Sequence, residues 1–165
     1  MPTHLRSAFL ALALVAPLLF TGCQTTQSFE GIQSTTMSRS AMNAAIKAEA
    51  PGDYYIGRRF YKVDYKFWGW VRKPGQAWSQ AQLVMMNEQT KLAPDREAGK
   101  FGSDNNYEYK LIGDYSGQIV YEPASNAKYP EFVLKSAELI STNPANIYNV
   151  SGATDPARRV IAHPY

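Results

Sequence analysis

A small, mainly β domain closed into an antiparallel barrel, with one short helix ahead of it, is the fold class this sequence predicts. Three observations predict it. From Asp53 onward, apolar and polar residues alternate with period two, the signature of half-buried strands. Turn-forming pairs such as Pro74-Gly75 and Ser116-Gly117 break those runs at short intervals. The chain of 165 residues, 45% hydrophobic and 19% charged, has the size of one domain and the composition of a folded one.

The elements follow in order. Ser40 caps a short helix over Ala41–Ala50, with Met42, Ala45 and Ile46 on one side, and Pro51-Gly52 stops it, so 41–52 reads as helix and linker. The β domain occupies 53–140. Tyr61, Val63, Tyr65 and Phe67 alternate with Lys62, Asp64 and Lys66, which predicts a strand; Gly69 then marks a bulge before Trp70-Val71-Arg72. Trp78–Asn87 reads as a central strand. Glu88–Asn106 is a polar loop with seven charges, long enough to be functional or disordered. Tyr107 to Tyr115 alternates again, and Ser116-Gly117 turns it into Gln118–Tyr121. Pro123–Pro130 is a further loop, Glu131–Ile140 the last strand, and 141–165 a Pro- and Asn-rich tail, extended or loosely draped. Short strands joined by hairpin turns point to an OB-like or SH3-like barrel.

Residues 1–22 read as an address rather than as fold. Arg6 supplies a positive start, and Ala8–Phe20 is an apolar run too short for a spanning helix, which needs roughly 20 residues. Thr21, Gly22 and Cys23 follow, and Cys23 is the chain's one cysteine. This segment resembles a bacterial lipoprotein signal, with Phe20 in place of the usual aliphatic residue. The resemblance covers residues 1–23. It implies cleavage after Gly22, diacylglycerol on the Cys23 thiol and a further acyl chain such as palmitate; two or three chains hold a protein firmly at a membrane. Gln24, where Asp would favour inner-membrane retention, points to the outer membrane and a periplasm-facing domain. The alternative is an ordinary cleaved signal with a free cysteine. Residues 23–40, rich in Ser, Thr and Gln, read as a lipidated flexible tether.

The composition is poor in catalytic groups. There are two histidines, His4 and His163, and the formal charge is +3, from 17 basic and 14 acidic residues. These numbers argue against a Ser-His-Asp site, a His- or Cys-based metal site and a nucleic-acid partner. No phosphate-binding glycine motif occurs, and no cofactor is implied. Asp104, Glu108, Asp114, Glu122 and Glu131 are the carboxylates a glycan hydrolase would draw on.

The densest feature is 54–73, with eight aromatic rings and six basic side chains against Asp64 alone. Aromatic faces stack on sugar rings, and guanidinium groups pair with carboxylate or phosphate. Tyr54, Arg58, Arg59, Lys62, Lys66, Trp68 and Trp70 are the candidate ligand-binding residues, the competing reading being that alternation puts the rings in the core. Tyr107, Tyr109, Tyr115, Tyr121 and Tyr129 form a second candidate surface. The sequence thus predicts a lipid-anchored envelope protein, a non-enzymatic binding or assembly module for peptidoglycan, lipopolysaccharide or an envelope protein. The alternatives are a carboxylate-dependent glycan hydrolase and a purely structural lipoprotein.

Overall fold

The structure, a computed structural model, describes residues 30–165. The signal peptide read over 1–22, the lipidation site Cys23 and the start of the tether lie outside the described residues. Helix α1 (Glu30–Lys47) is followed by strands β1 (Tyr55–Arg59), β2 (Gly69–Arg72) and β3 (Gln82–Asn87), a short helix α2 (Pro94–Glu97), and two long strands, β4 (Glu108–Glu122) and β5 (Ala127–Ser141). Among these residues no helix is long and apolar enough to cross a membrane.

The strands close a barrel in the order β1-β2-β3-β5-β4, with β4 paired back to β1. A five-stranded barrel with this crossover is of the OB-like kind. One pair departs from the all-antiparallel expectation. β3 and β5 run parallel, because β4 lies between them in the chain and reverses the direction once more.

Two hydrophobic cores lie on either side of the β1–β2–β3 sheet. Tyr55, Trp68, Val71, Val84, Tyr109, Leu111, Phe132 and Leu134 pack together inside the barrel. Ile56, Phe60, Phe67, Trp70, Trp78 and Leu83 pack on the other face, against Ile46 of α1 and against Ile147, Tyr148, Ala153 and Ala162. Every residue of β1 and β2 is therefore buried. Two glycines make this packing fit. A Cβ on Gly57 would stand 2.5 Å from Leu111 and 2.8 Å from the Trp68 ring. A Cβ on Gly69 would meet the Arg58 carbonyl and stand 2.8 Å from the Phe60 nitrogen. The expected break falls at Gly69: Trp68 enters the inner core and Trp70 the outer one.

Several expected elements are corrected. The helix begins at Glu30 rather than Ala41, since no proline lies between Glu30 and Pro51; residues 30–40 of the expected tether belong to it. Tyr61–Phe67 is loop, not strand, because its two faces are inverted: Lys62 is 1% exposed and Val63 is 64% exposed. The expected strand at Trp78 starts with a 3-10 turn, Trp78–Gln80, and β3 begins at Gln82. Ser116-Gly117 is not a hairpin turn. β4 runs through it with a register shift between Tyr115 and Ile119, and the chain reverses at 123–126. The Glu122 carboxylate decides that position, accepting the N–H groups of Ala124 and Ser125 at 3.2 and 2.6 Å. β5 then starts at Ala127, inside the expected loop. The tail is not loosely draped. It bridges Tyr148 to Pro164 and carries four residues of the outer core.

Replacing Gly57 with Ala is expected to lower stability by about 1–3 kcal/mol through overpacking of the inner core, read as a lower urea midpoint with unchanged slope.

Candidate ligand-binding groove

The site is built around a buried cation. Arg59 ends β1, and its guanidinium donates to the Trp68 carbonyl and, at 2.9 Å, to Asp95 Oδ2. Asp104 Oδ1 stands 3.4 Å from Arg59 Nε, close enough for attraction but outside hydrogen-bond geometry. Asp95 also accepts the Gly102 N–H at 2.9 Å and the Arg96 N–H at 3.0 Å. These bonds fold the 88–106 loop against the 60–68 loop. Gly102, at φ +72°, lies flat on the Tyr61 ring, where a side chain has no room. The 88–106 segment is thus neither structureless nor a plain polar loop.

Between the two loops runs a groove of about 390 Å³. Trp68 and Arg59 form its floor. Tyr61 and Tyr65 are half-buried walls, Phe101 is 64% exposed at the rim, and Lys66 is exposed beside them. Arg96 lies across the rim, its guanidinium 5.5 Å from the Phe101 ring and 2.6 Å from Glu88.

The carboxylates facing the groove are engaged. Burial works to raise Asp95, but the Arg59 charge and three hydrogen bonds outweigh it and hold the carboxyl below its usual range. Burial raises Glu88, against the pull of Arg96. Asp104, deeper still, is raised by burial despite Arg59, and accepts the Tyr109 hydroxyl at 3.0 Å.

Of the seven candidate residues, Arg59, Lys66 and Trp68 meet at this groove; the other four do not. Arg58 is 1% exposed. It donates to Glu108 at 2.5 Å and to the Ala145 carbonyl at 3.0 Å, with Trp78 against its guanidinium. Lys62 is buried with its ammonium on the carbonyls of Ala153 and Asp155, at 2.7 and 2.8 Å, and burial lowers its pKa. Trp70 packs in the outer core. Tyr54, half-buried, donates to the Ala50 carbonyl at the start of β1. The segment 54–73 is therefore mostly interior, because both faces of β1 and β2 are covered.

The second candidate surface also divides: Tyr109 is buried, Tyr115 is half-buried with its hydroxyl pushed up to about 12 by burial, and Tyr121 is exposed. The five hydrolase candidates are not brought together. Asp104 binds Tyr109, Glu108 binds Arg58, Asp114 binds Lys135, Glu122 caps its turn and Glu131 accepts from Asn87. Glu88, Asp95, Arg96 and Phe101 were not singled out from the sequence, although their loop was, by its length and charge. Among the described residues no group of three or more His, Cys, Asp or Glu side chains is placed to hold a metal.

No known protein family, curated protein or solved structure matches this chain.

Replacing Arg59 with Met leaves Asp95 and Asp104 buried without their cation, with an expected cost of about 3–5 kcal/mol. Lys66→Ala, on the surface, should change stability by less than about 0.5 kcal/mol; urea unfolding separates the two. Asp95 also sets a pH dependence. A carboxyl with a lowered folded pKa binds fewer protons than in the unfolded chain, whose Asp pKa is about 3.9. Its stabilisation is complete above that value and is lost as pH falls through the folded pKa. Asp95→Asn is expected to weaken the fold at neutral pH and flatten its acid limb, measured as urea midpoints along a pH series.

Proposed function

We propose that this protein is a lipid-anchored, non-enzymatic binding module of the bacterial cell envelope, and that the groove between the 60–68 and 88–106 loops holds an anionic envelope glycan such as peptidoglycan. One observation carries the reading: the groove exposes aromatic and cationic groups while the carboxylates facing it are already occupied. Tyr61, Tyr65 and Phe101 offer ring faces for sugars, and Lys66 makes no ion pair among the described residues. Asp95 has three donors, and Glu88 has Arg96. A glycan hydrolase needs two carboxyl groups free to exchange protons across the scissile bond, whereas Asp104, Glu108, Asp114, Glu122 and Glu131 are each tied to a separate partner. The anchor rests on Thr21-Gly22-Cys23 after the apolar run, and places the domain at a membrane, by Gln24 the outer one.

Cosedimentation of the detergent-solubilised protein with purified sacculi tests the ligand. Salt-sensitive pelleting is expected, since exposed charges contribute and are screened. Phe101→Ala should cut the pelleted fraction about fivefold, the effect of one lost aromatic contact of about 1 kcal/mol, and Lys66→Glu should act similarly. Pelleting that neither substitution alters would exclude this groove. The anchor is tested separately: Cys23→Ser should abolish incorporation of labelled palmitate and release the protein from the membrane fraction, and a labelled Cys23→Ser protein would refute it.

A further inference from the structure

The barrel is closed between β3 and β5 by three residue pairs, Met85–Glu131, Met86–Phe132 and Asn87–Val133. Upstream, both strands continue without each other. Gln82–Val84 is held by β2, and Ala127–Pro130 by β4. Between these stretches lies a slot of about 500 Å³. Its cause is legible in the register. The Val84 carbonyl accepts the Trp68 N–H at 2.8 Å on the β2 side. Alternation therefore turns the N–H and C=O of Leu83 the other way, toward β5. One step back in the parallel ladder, the Leu83 carbonyl would need the backbone N–H of residue 130, which is Pro130 and has none. Pairing begins at Glu131, and the Leu83 peptide group faces the slot.

The side chains define what fits. Trp70 and Leu83 make an apolar floor. The Trp70 indole N–H is buried, at 3% residue exposure, and has no acceptor among the described residues. Lys128 and His163 stand exposed at the rim, the His163 ring 5.1 Å from that of Trp70. Among the described residues no carboxylate lines the slot.

We propose that this slot takes an extended, acidic peptide of a partner protein as an added β-strand. The Leu83 N–H and C=O, turned toward the slot, form a donor and acceptor pair in strand geometry, which an extended peptide backbone matches and a sugar chain does not. The open stretch of β3 spans about 10 Å, room for roughly three residues of a partner strand. The Lys128 ammonium, with no carboxylate near it in the slot, selects acidic side chains. The site is separate from the glycan groove and does not depend on it.

The test is selection of a displayed random octapeptide library on the full chain. Enriched peptides are expected to be acidic and proline-poor. Lys128→Glu, an exposed change that leaves the fold intact by circular dichroism, should weaken them about tenfold, as loss of one charge-assisted contact does. The same peptides should slow hydrogen exchange of the Leu83 amide by about tenfold or more, and Lys66→Glu should leave their binding unchanged. Enrichment of no peptide overturns the proposal. So does enrichment of peptides that bind the Lys128→Glu chain equally well and leave the Leu83 amide at its free rate.

Discussion

The buried guanidinium of Arg59 is the interaction on which the loop architecture depends. Its backbone belongs to the barrel: the Arg59 N–H donates to the Tyr107 carbonyl, and its own carbonyl accepts the Asn106 N–H, both at 2.9 Å. Its side chain belongs to the loops, through the Trp68 carbonyl, Asp95 and Asp104. One residue thus fixes where β4 begins, where the 60–68 loop rejoins β2 and how the 88–106 segment folds back. A buried ion pair is not in itself strong evidence for stability, because desolvation opposes the Coulomb gain. Here its effect is positional. Two segments with little regular structure acquire one arrangement, and the groove is the space left between them.

The same logic recurs around the β1–β2 sheet. Arg58 is matched by Glu108, Arg72 by Glu49 and Lys62 by two backbone carbonyls. Burying cations on this scale is costly unless each finds a partner, and the partners come from distant parts of the chain. Glu49 follows α1, Glu108 opens β4, and Ala153 and Asp155 lie in the C-terminal segment. The outer core is apolar at its centre, with Phe60, Trp70 and Tyr148 in contact, and bounded by these ion pairs and bonds. The C-terminal segment is therefore a structural element of the domain. It supplies both apolar cover and the oxygens that accept from Lys62.

Much of the architecture was legible because it is local. Alternation in Tyr107–Tyr115, the density of turn residues and the break at Gly69 all report short-range constraints, and they yield a small barrel. Lys62 shows what alternation cannot report. It occupies the polar position of a well-formed strand pattern, yet its oxygens come from residues 91 and 93 positions away. Ser116-Gly117 misleads for a related reason. Gly117 does adopt a positive φ, +81°, but a bulge uses that conformation as readily as a turn does. The reversal goes where the Glu122 carboxylate can bind two backbone N–H groups. For the site, the 54–73 segment drew attention by composition, and composition does not distinguish an exposed basic surface from a sheet buried on both sides. Asp95 and Phe101 carried no local signature of their own.

β3 joins the two surfaces that remain open. Its first residues, Gln82 and Leu83, line the slot beside Pro130, while Met86 and the following Glu88 line the groove beside Trp68. Both openings arise where β3 lacks a partner on one side: the slot before its ladder with β5 begins at Met85, the groove beyond Val84, where its ladder with β2 ends. The short closure follows from the two long strands. β4 and β5 pair with each other over almost their whole length, so the hairpin is held without β3, and three pairs suffice to close the barrel. A longer β3–β5 ladder would seal the slot. Pro130, with no N–H for the Leu83 carbonyl, stops the ladder one step short of that and leaves the Leu83 peptide group facing the slot.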